Sequence, residues 1–282
     1  MEIIRTPRII QDTCKKHLIK GRTIGFVPTM GALHEGHLSL IKRAKMENDI
    51  TVASIFINPI QFSPSEELEK YPRDIENDTI KLRKEEIDVL FLPDNNLMYA
   101  SGFSTYINVD IISEKLCGRF RPGHFKGVAT VVAKLLNIVS PTRAYFGQKD
   151  FQQSVIIRRM VKDLNLNVDI VACPTIREHD GLAMSSRNSY LDEEQRKAAP
   201  VLYRCLKKAS DTIKSGIIST EQIKELMSGV LSEEALVRQI DYASVYHPET
   251  LEEVKDIKGE VLIAAAVRIG NTRLIDNIPV NL

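Results

Sequence analysis

An excess of charge of either sign is the first thing missing from this sequence. Across 282 residues, 38 lysines and arginines stand against 37 aspartates and glutamates, a formal net charge of +1. That balance argues against a general nucleic-acid binder, which carries a basic excess or stripe, and leaves no simple case for an anionic membrane surface. Long apolar runs are also missing. The longest, Val261 to Val267, spans seven residues, where a bilayer crossing needs about 20. The opening stretch MEIIRTPRIIQDTCKKHLIKG scatters its charges and holds no apolar core of signal-peptide length. Cysteine is sparse: Cys14, Cys117, Cys173 and Cys205 lie far apart with no CxxC pair. The expectation is reduced thiols rather than a disulfide framework. The C-x-x-H spacing of Cys14 and His17 lacks the second ligand pair that zinc would need. Together these absences predict a cytoplasmic protein with neither a membrane nor a nucleic-acid partner.

What is present is alternation. At roughly 150 residues per domain the length suggests two domains. Thr23–Thr29 reads as a strand, His37–Asn48 as a helix, and Ile50–Ile57 as a strand that is apolar or β-branched almost throughout, the habit of a parallel sheet buried on both faces. Glu66–Glu86 reads as a charged helix, Ile87–Leu92 as a strand, and Val128–Val139 as an amphipathic helix built from poor helix formers. Arg143–Gly147 is a strand, Asp150–Leu164 a helix and Val168–Cys173 a strand. The implied fold class is α/β, a Rossmann-like doubly wound parallel sheet. Further on, Asp192 with Gln195 predicts a capped helix running towards Gly216, and Ser219 with Gln222 a second one through Leu226. Ile240–Tyr246, Val261–Arg268 and Thr272–Asp276 read as strands, the last two joined at Gly270-Asn271. The predicted division is residues 1–176, the Rossmann-like domain, and 177–282, a smaller C-terminal α+β domain.

Chemistry concentrates at strand-to-helix corners. Met30, Gly31, Ala32, Leu33, His34, Glu35, Gly36 and His37 follow the first predicted strand. Ligands of open α/β sheets bind beyond the carboxyl ends of the strands, and a helix N-terminus there offers free N–H groups to phosphate. A capped turn with exposed histidines would look the same in isolation. Gly147, Gln148, Lys149 and Asp150 put one compact cation at another such corner, with Gln153 one turn into the following helix. Met184, Ser185, Ser186 and Arg187 offer hydroxyls and a guanidinium to phosphate oxygens near the predicted domain boundary. Asn58 and Gln61 supply neutral amides suited to an uncharged hydroxylated group or a carboxylate. Arg119, Arg121 and His124 form an anion lip whose role the sequence leaves open.

The HxxH corner paired with a serine-rich loop resembles the HIGH and KMSKS motifs of the nucleotidylyltransferase and class I aminoacyl-tRNA synthetase superfamily. PTMGALHEGH, SIFINPIQF, the YPRD of Tyr71–Asp74, RPGHFKGVATVV, YFGQKDFQQ, DGLAMSSRN and RLIDN together resemble, in order, the pantoate–β-alanine ligase family. That resemblance implies ATP-dependent condensation of pantoate with β-alanine through a pantoyl adenylate, with Mg2+ accompanying ATP and a homodimeric assembly. It implies His34, His37 and Lys149 as catalytic residues. Met30–His37, Gly147–Asp150, Ile176 and Met184–Arg187 would hold ATP, and Gln61, Gln153 and Asn58 would hold substrate. Ala183 and Ser186 stand where KMSKS has lysines, so Lys149 is expected to supply that cation. Asp74 and Asp78 are candidate Mg2+ ligands by position alone. An aminoacyl-tRNA synthetase would need a basic tRNA-binding extension that a chain at +1 lacks. A transferase acting on a phosphate ester would want more cations around its acceptor than two glutamines provide. A non-catalytic nucleotide sensor leaves the two histidines, Lys149 and the MSSR loop unexplained.

Overall fold

The computed structural model describes residues 1–62, 68–69 and 71–282. They form two compact units. The first comprises Met1–Ser113, Arg121–Gln148 and Ile156–Pro174, and the second Glu114–Phe120, Lys149–Val155 and Thr175–Leu282.

The first unit is built on a six-stranded, all-parallel sheet of β1 (Glu2–Ile4), β2 (Ile24–Thr29), β3 (Ile50–Ile55), β4 (Val89–Phe91), β5 (Arg143–Gly147) and β6 (Asp169–Cys173). Their order is β1-β4-β3-β2-β5-β6. Every residue of β3 and β4 is buried, which is why these segments are continuously apolar rather than alternating. The chain moves outward from β2 through β3 to β4, then returns to place β5 on the other side of β2. The reversal between β2 and β5 is the switch point at which doubly wound sheets hold ligands. Helices α1 (Pro7–Ile19), α2 (Glu35–Glu47), α3 (Ile75–Lys84) and the one-turn α4 (Asn95–Met98) precede the one-turn α5 (Cys117–Phe120). Then come α6 (His124–Val139) and α7 (Phe151–Asp163), the latter preceded by a 3-10 turn, Gln148–Asp150. Twelve residues of α6 are buried, Val128, Val131, Val132, Leu135 and Leu136 among them. Burial on that scale overrides the weak helix propensity of its valines and threonine.

The second unit carries an antiparallel sheet, β7 (Val237–Tyr246), β8 (Glu260–Ile269) and β9 (Thr272–Asn281), in the order β7-β8-β9. Helices α8 (Glu193–Ala198), α9 (Val201–Lys214) and α10 (Thr220–Ser232) precede it. Leu202, Leu206, Ile213, Ile223, Met227 and Leu231 from α9 and α10 pack with Val261, Ile263, Ala265 and Val267 of β8 into one apolar core.

Several expectations are corrected. The helix capped by Asp192 does not run on to Gly216: it stops at Ala198, and α9 starts after Pro200. Proline has no N–H to donate, and its ring crowds the carbonyl four residues back. Ser219 makes no side-chain cap, and α10 runs to Ser232 rather than Leu226. The charged helix begins only at Ile75, and the start expected for it at Glu66 lies outside the described residues. His34 and Glu35 belong to α2 as N-cap and first residue, so that helix starts two residues earlier than the apolar pattern alone shows. Among the described residues no helix is long and apolar enough to cross a membrane. All four cysteines are buried and free.

Candidate active site

Three neighbouring parallel strands of the first unit deliver the site residues at their carboxyl ends. β2 leads into Met30–His37, β3 into Asn58 and Gln61, and β5 into Gly147 and Gln148.

The loop after β2 is tightly determined. Gly31 has φ +86° and Ala32 φ +50°, left-handed values that favour glycine and strain alanine. A Cβ on Gly31 would meet Asp78 Oδ2 at 3.0 Å and Ile55 Cγ2 at 3.1 Å. The conformation is held from α3: the Asp78 carboxylate accepts the Ala32 N–H at Oδ2 and the Leu33 N–H at Oδ1, both at 2.8 Å. Lys81 Nζ donates to the Leu33 carbonyl at 2.6 Å. Asp78, a Mg2+ candidate on position alone, is therefore a buried clamp on the motif. Asp74 is likewise taken up, accepting the Asn77 N–H at 3.0 Å as the N-cap of α3. Among the described residues no group of three or more His, Cys, Asp or Glu side chains is arranged to hold a metal ion.

His34 and His37 sit at the N-terminus of α2 with ring centroids 4.1 Å apart. The Gly36 N–H points at His34 Nδ1 (3.2 Å), and the His34 N–H points at His37 Nδ1 (3.3 Å). A backbone donor aimed at each Nδ1 requires a lone pair there, which assigns the proton of each neutral ring to Nε2. Two imidazole Nε2–H donors at a helix N-terminus, with its positive dipole end, form an anion-binding arrangement.

Asn58 and Gln61 are buried polar side chains around a 3-10 turn, Pro59–Gln61. Tyr99 Oη donates to Asn58 Oδ1 at 2.7 Å, while Asn58 Nδ2 donates to Gln61 Oε1 at 3.0 Å and to the Gly127 carbonyl at 3.1 Å. With its oxygen taken, Gln61 presents its Nε2 donor, which lies 3.1 Å from Met30 Sδ. His124 belongs to the same assembly. Arg121 Nη1 lies 2.8 Å from His124 Nε2, and His124 Nδ1 lies 2.9 Å from the Gln61 carbonyl. Arginine only donates, so His124 carries its proton on Nδ1 and donates it to that carbonyl. The lip that sequence left without a role thus holds the Gln61 backbone, except for Arg119. Arg119 belongs to the second unit, where it lines a cavity of about 540 Å3 with Tyr242 and Tyr246.

Gly127 lets α6 approach that turn. A Cβ there would fall 2.5 Å from the Ile60 carbonyl oxygen and 2.6 Å from Gln61 Cα. Gly127→Ala is expected to cost about 1–3 kcal/mol as an overpacking change and to lower whatever activity depends on the Gln61 turn. Steady-state kinetics alongside denaturant unfolding checks both.

The second unit holds the remaining candidates. The Lys149 side chain is 16% exposed, with Nζ 3.5 Å from Asp150 Oδ1. Gln153 is half-buried in the first turn of α7. Ile176 and Met184 meet through a backbone bond, Met184 N–H to Ile176 carbonyl at 3.0 Å, closing a hairpin with an Arg177–Ala183 bridge. Arg196 braces its tip, pairing with Glu178 at 2.5 Å and Asp180 at 2.6 Å. That pairing holds the Asp180 carboxyl below its ordinary pKa. Ser185 Oγ then caps a 3-10 turn, Ser186–Tyr190, by accepting the Arg187 N–H at 3.2 Å. Sequence reasoning misses Lys81 and Tyr99 as parts of the site, and offers Asp78 as a Mg2+ candidate where the structure makes it a support of the loop. YPRD, which ends four residues before Asp78, is the nearest signal.

Comparison with known proteins shows the family to which the chain belongs. The Pantoate-beta-alanine ligase family model matches residues 2–279. The chain is 58% identical over 278 residues to the pantothenate synthetase of Thermodesulfovibrio yellowstonii, covering 99% of each. It is 53% identical over 273 residues to that of Caldicellulosiruptor saccharolyticus, covering 97% of each. The crystal structure of the Thermus thermophilus pantothenate synthetase superposes with a TM-score of 0.94 at 44% identity, 99% of each chain being covered. That of the Francisella tularensis pantoate-beta-alanine ligase, complexed with beta-gamma ATP and beta-alanine, gives 0.81 at 35% identity, covering 99% and 97%. The histidine corner, the buried amides and the braced serine loop are thus features of a chain that belongs to the pantoate–β-alanine ligase family.

Proposed function

We propose that these residues carry out the family's reaction, the ATP-dependent ligation of pantoate to β-alanine, in defined roles. In the first step the pantoate carboxylate attacks the α-phosphorus of ATP, and pyrophosphate leaves. In the second the β-alanine amine attacks the acyl carbon of pantoyl adenylate, and AMP leaves with pantothenate formed. The protein has little covalent work to do, so positioning and charge stabilisation dominate. His34 and His37 donate through Nε2 to ATP phosphate oxygens. Lys149, Ser185, Ser186 and Arg187 supply further donors. Met30–Leu33, Glu35, Gly36, Gly147, Gln148, Asp150, Ile176 and Met184 shape the nucleotide's surroundings through their backbone. Gln61, Gln153 and Asn58 serve pantoate, and neutral amides suit a carboxylate that must stay nucleophilic. Mg2+ enters with ATP as the Mg–ATP substrate, since such ions bind largely through phosphates and water. The work divides between residues 1–176 and the lid 177–282. We further place the enzyme in the cytoplasm as a homodimer, which sedimentation would test.

The observation that carries this reading is the pair of Nδ1 atoms each facing a backbone N–H at the start of α2, which leaves the ring proton of each neutral histidine on Nε2. It is tested by incubating the protein with ATP and pantoate without β-alanine. A burst of pyrophosphate near one equivalent is expected, with AMP accumulating only once β-alanine is added. Formation of ADP, or turnover independent of pantoate, would refute it.

A further inference from the structure

The RLIDN segment, Arg273–Asn277 on β9, has no part in the roles above. Asp276 and Asn277 are both buried, opposite Ala265 and Ala264 of β8. The Asp276 carboxylate takes the Arg177 guanidinium in a two-pronged grip, Oδ2 to Nη1 at 2.6 Å and Oδ1 to Nη2 at 3.0 Å. Arg177 also donates to the Gly181 carbonyl at 3.1 Å and lies 4.2 Å over the Tyr203 ring. Since Arg177 follows Ile176 at the base of the hairpin that ends at Met184, β9 fixes the base of the MSSR loop. The next residue reaches the other segment: Asn277 Nδ2 donates to the main-chain carbonyl of Lys149 at 2.9 Å. Buried ion pairs contribute little net stability compared with apolar replacements, so a two-pronged pair beside a buried amide calls for a positional reason. Burial pushes the Asp276 carboxyl up, and the Arg177 guanidinium opposes that rise.

We propose that Asp276 and Asn277 are positioning residues for the adenylation step. From consecutive places on one strand they fix the Lys149 backbone and the base of the Met184–Arg187 loop, setting those two donor segments in register. The inference rests on the reading that both segments hold ATP. Neither residue needs to touch substrate.

The test compares Asn277→Asp, Asn277→Ala and Lys149→Ala in the pyrophosphate assay. Asp is close to isosteric but presents an oxygen to the Lys149 carbonyl instead of an N–H. Ala removes the donor without adding charge, so it reads the same contact if Asn277→Asp does not fold. Both are expected to raise the KM for ATP and lower the rate of pyrophosphate release by about 10–100-fold, the scale of a misplacement near 1 Å. The KM for β-alanine should stay close to that of the parent protein, and the thermal midpoint should fall only by the amount that one lost buried hydrogen bond costs. Wild-type ATP kinetics in both Asn277 variants, beside an impaired Lys149→Ala, would overturn the proposal and leave the ATP reading standing. A wild-type Lys149→Ala would refute the ATP reading itself. Parallel loss of ATP, pantoate and β-alanine parameters together with the thermal midpoint would show a purely structural role and also overturn the proposal.

Discussion

Replacing His37 by alanine is expected to slow pyrophosphate release by about 10²–10³-fold, the scale of removing one preorganised donor from a developing charge. The geometry makes the expectation specific. His37 Nδ1 faces the His34 N–H, so the ring's remaining donor is Nε2–H and the variant deletes that donor. The reciprocal contact is also lost, which at a helix N-terminus costs about 0.5–2 kcal/mol of stability. Stability and rate should therefore separate, with modest destabilisation beside a large kinetic loss. If the Nε2 contact strengthens only as charge moves onto the leaving pyrophosphate, kcat and kcat/KM for ATP fall together while KM stays nearly constant. The second step, assayed from supplied pantoyl adenylate and β-alanine, should fall far less, since no pyrophosphate leaves in it. A rapid-quench measurement of the first turnover checks the prediction. An undiminished burst would remove His37 from the chemistry.

The elements most legible in the sequence are those whose signal is local. β5 lies at Arg143–Gly147, where the sequence predicts it, and β3 stands out because burial on both faces leaves an uninterrupted apolar run. β1 is three residues long, and α1 leaves Ile9 and Ile19 exposed beside its charged residues, so neither produces a readable pattern. Pro200 sits inside an otherwise continuous helical signal, and only backbone chemistry breaks it there. The candidate site divides in the same way. His34, His37, Lys149 and the MSSR loop are compact motifs. What holds the histidine loop comes from 45 to 48 residues further along the chain, and no periodicity reports a contact at that separation. Amide direction is equally hidden: that Gln61 turns its Nε2 donor towards Met30 follows from Asn58 and Tyr99, which only the fold places beside it.

Asp78→Asn should cost more stability than His37→Ala, since Asp78 clamps the loop that leads to both histidines. The side chain is 2% exposed and each of its oxygens accepts a backbone N–H at 2.8 Å. An amide of the same shape keeps one acceptor and turns an NH2 group towards the other N–H, so two donors face each other in a site closed to water. Hydrogen bonds to charged groups contribute about 1.5–3 kcal/mol, and stranding a buried donor costs a further 1–3 kcal/mol or so. The expected loss is therefore about 2–4 kcal/mol in denaturant unfolding, if part of the conflict relaxes through the loop. That relaxation is also what lowers activity. Ala32 at φ +50° persists only while its surroundings impose it, and once released the loop moves the α2 N-terminus and both imidazoles. A displacement near 1 Å is enough for about 100-fold in adenylation. Lys81→Met, which removes the bond to the Leu33 carbonyl, should give the same kinetic signature at smaller amplitude, because both Asp78 bonds to the loop remain. If Asp78→Asn matched the parent protein in both unfolding and pyrophosphate release, the loop would be self-supporting and α3 would be no more than a neighbour.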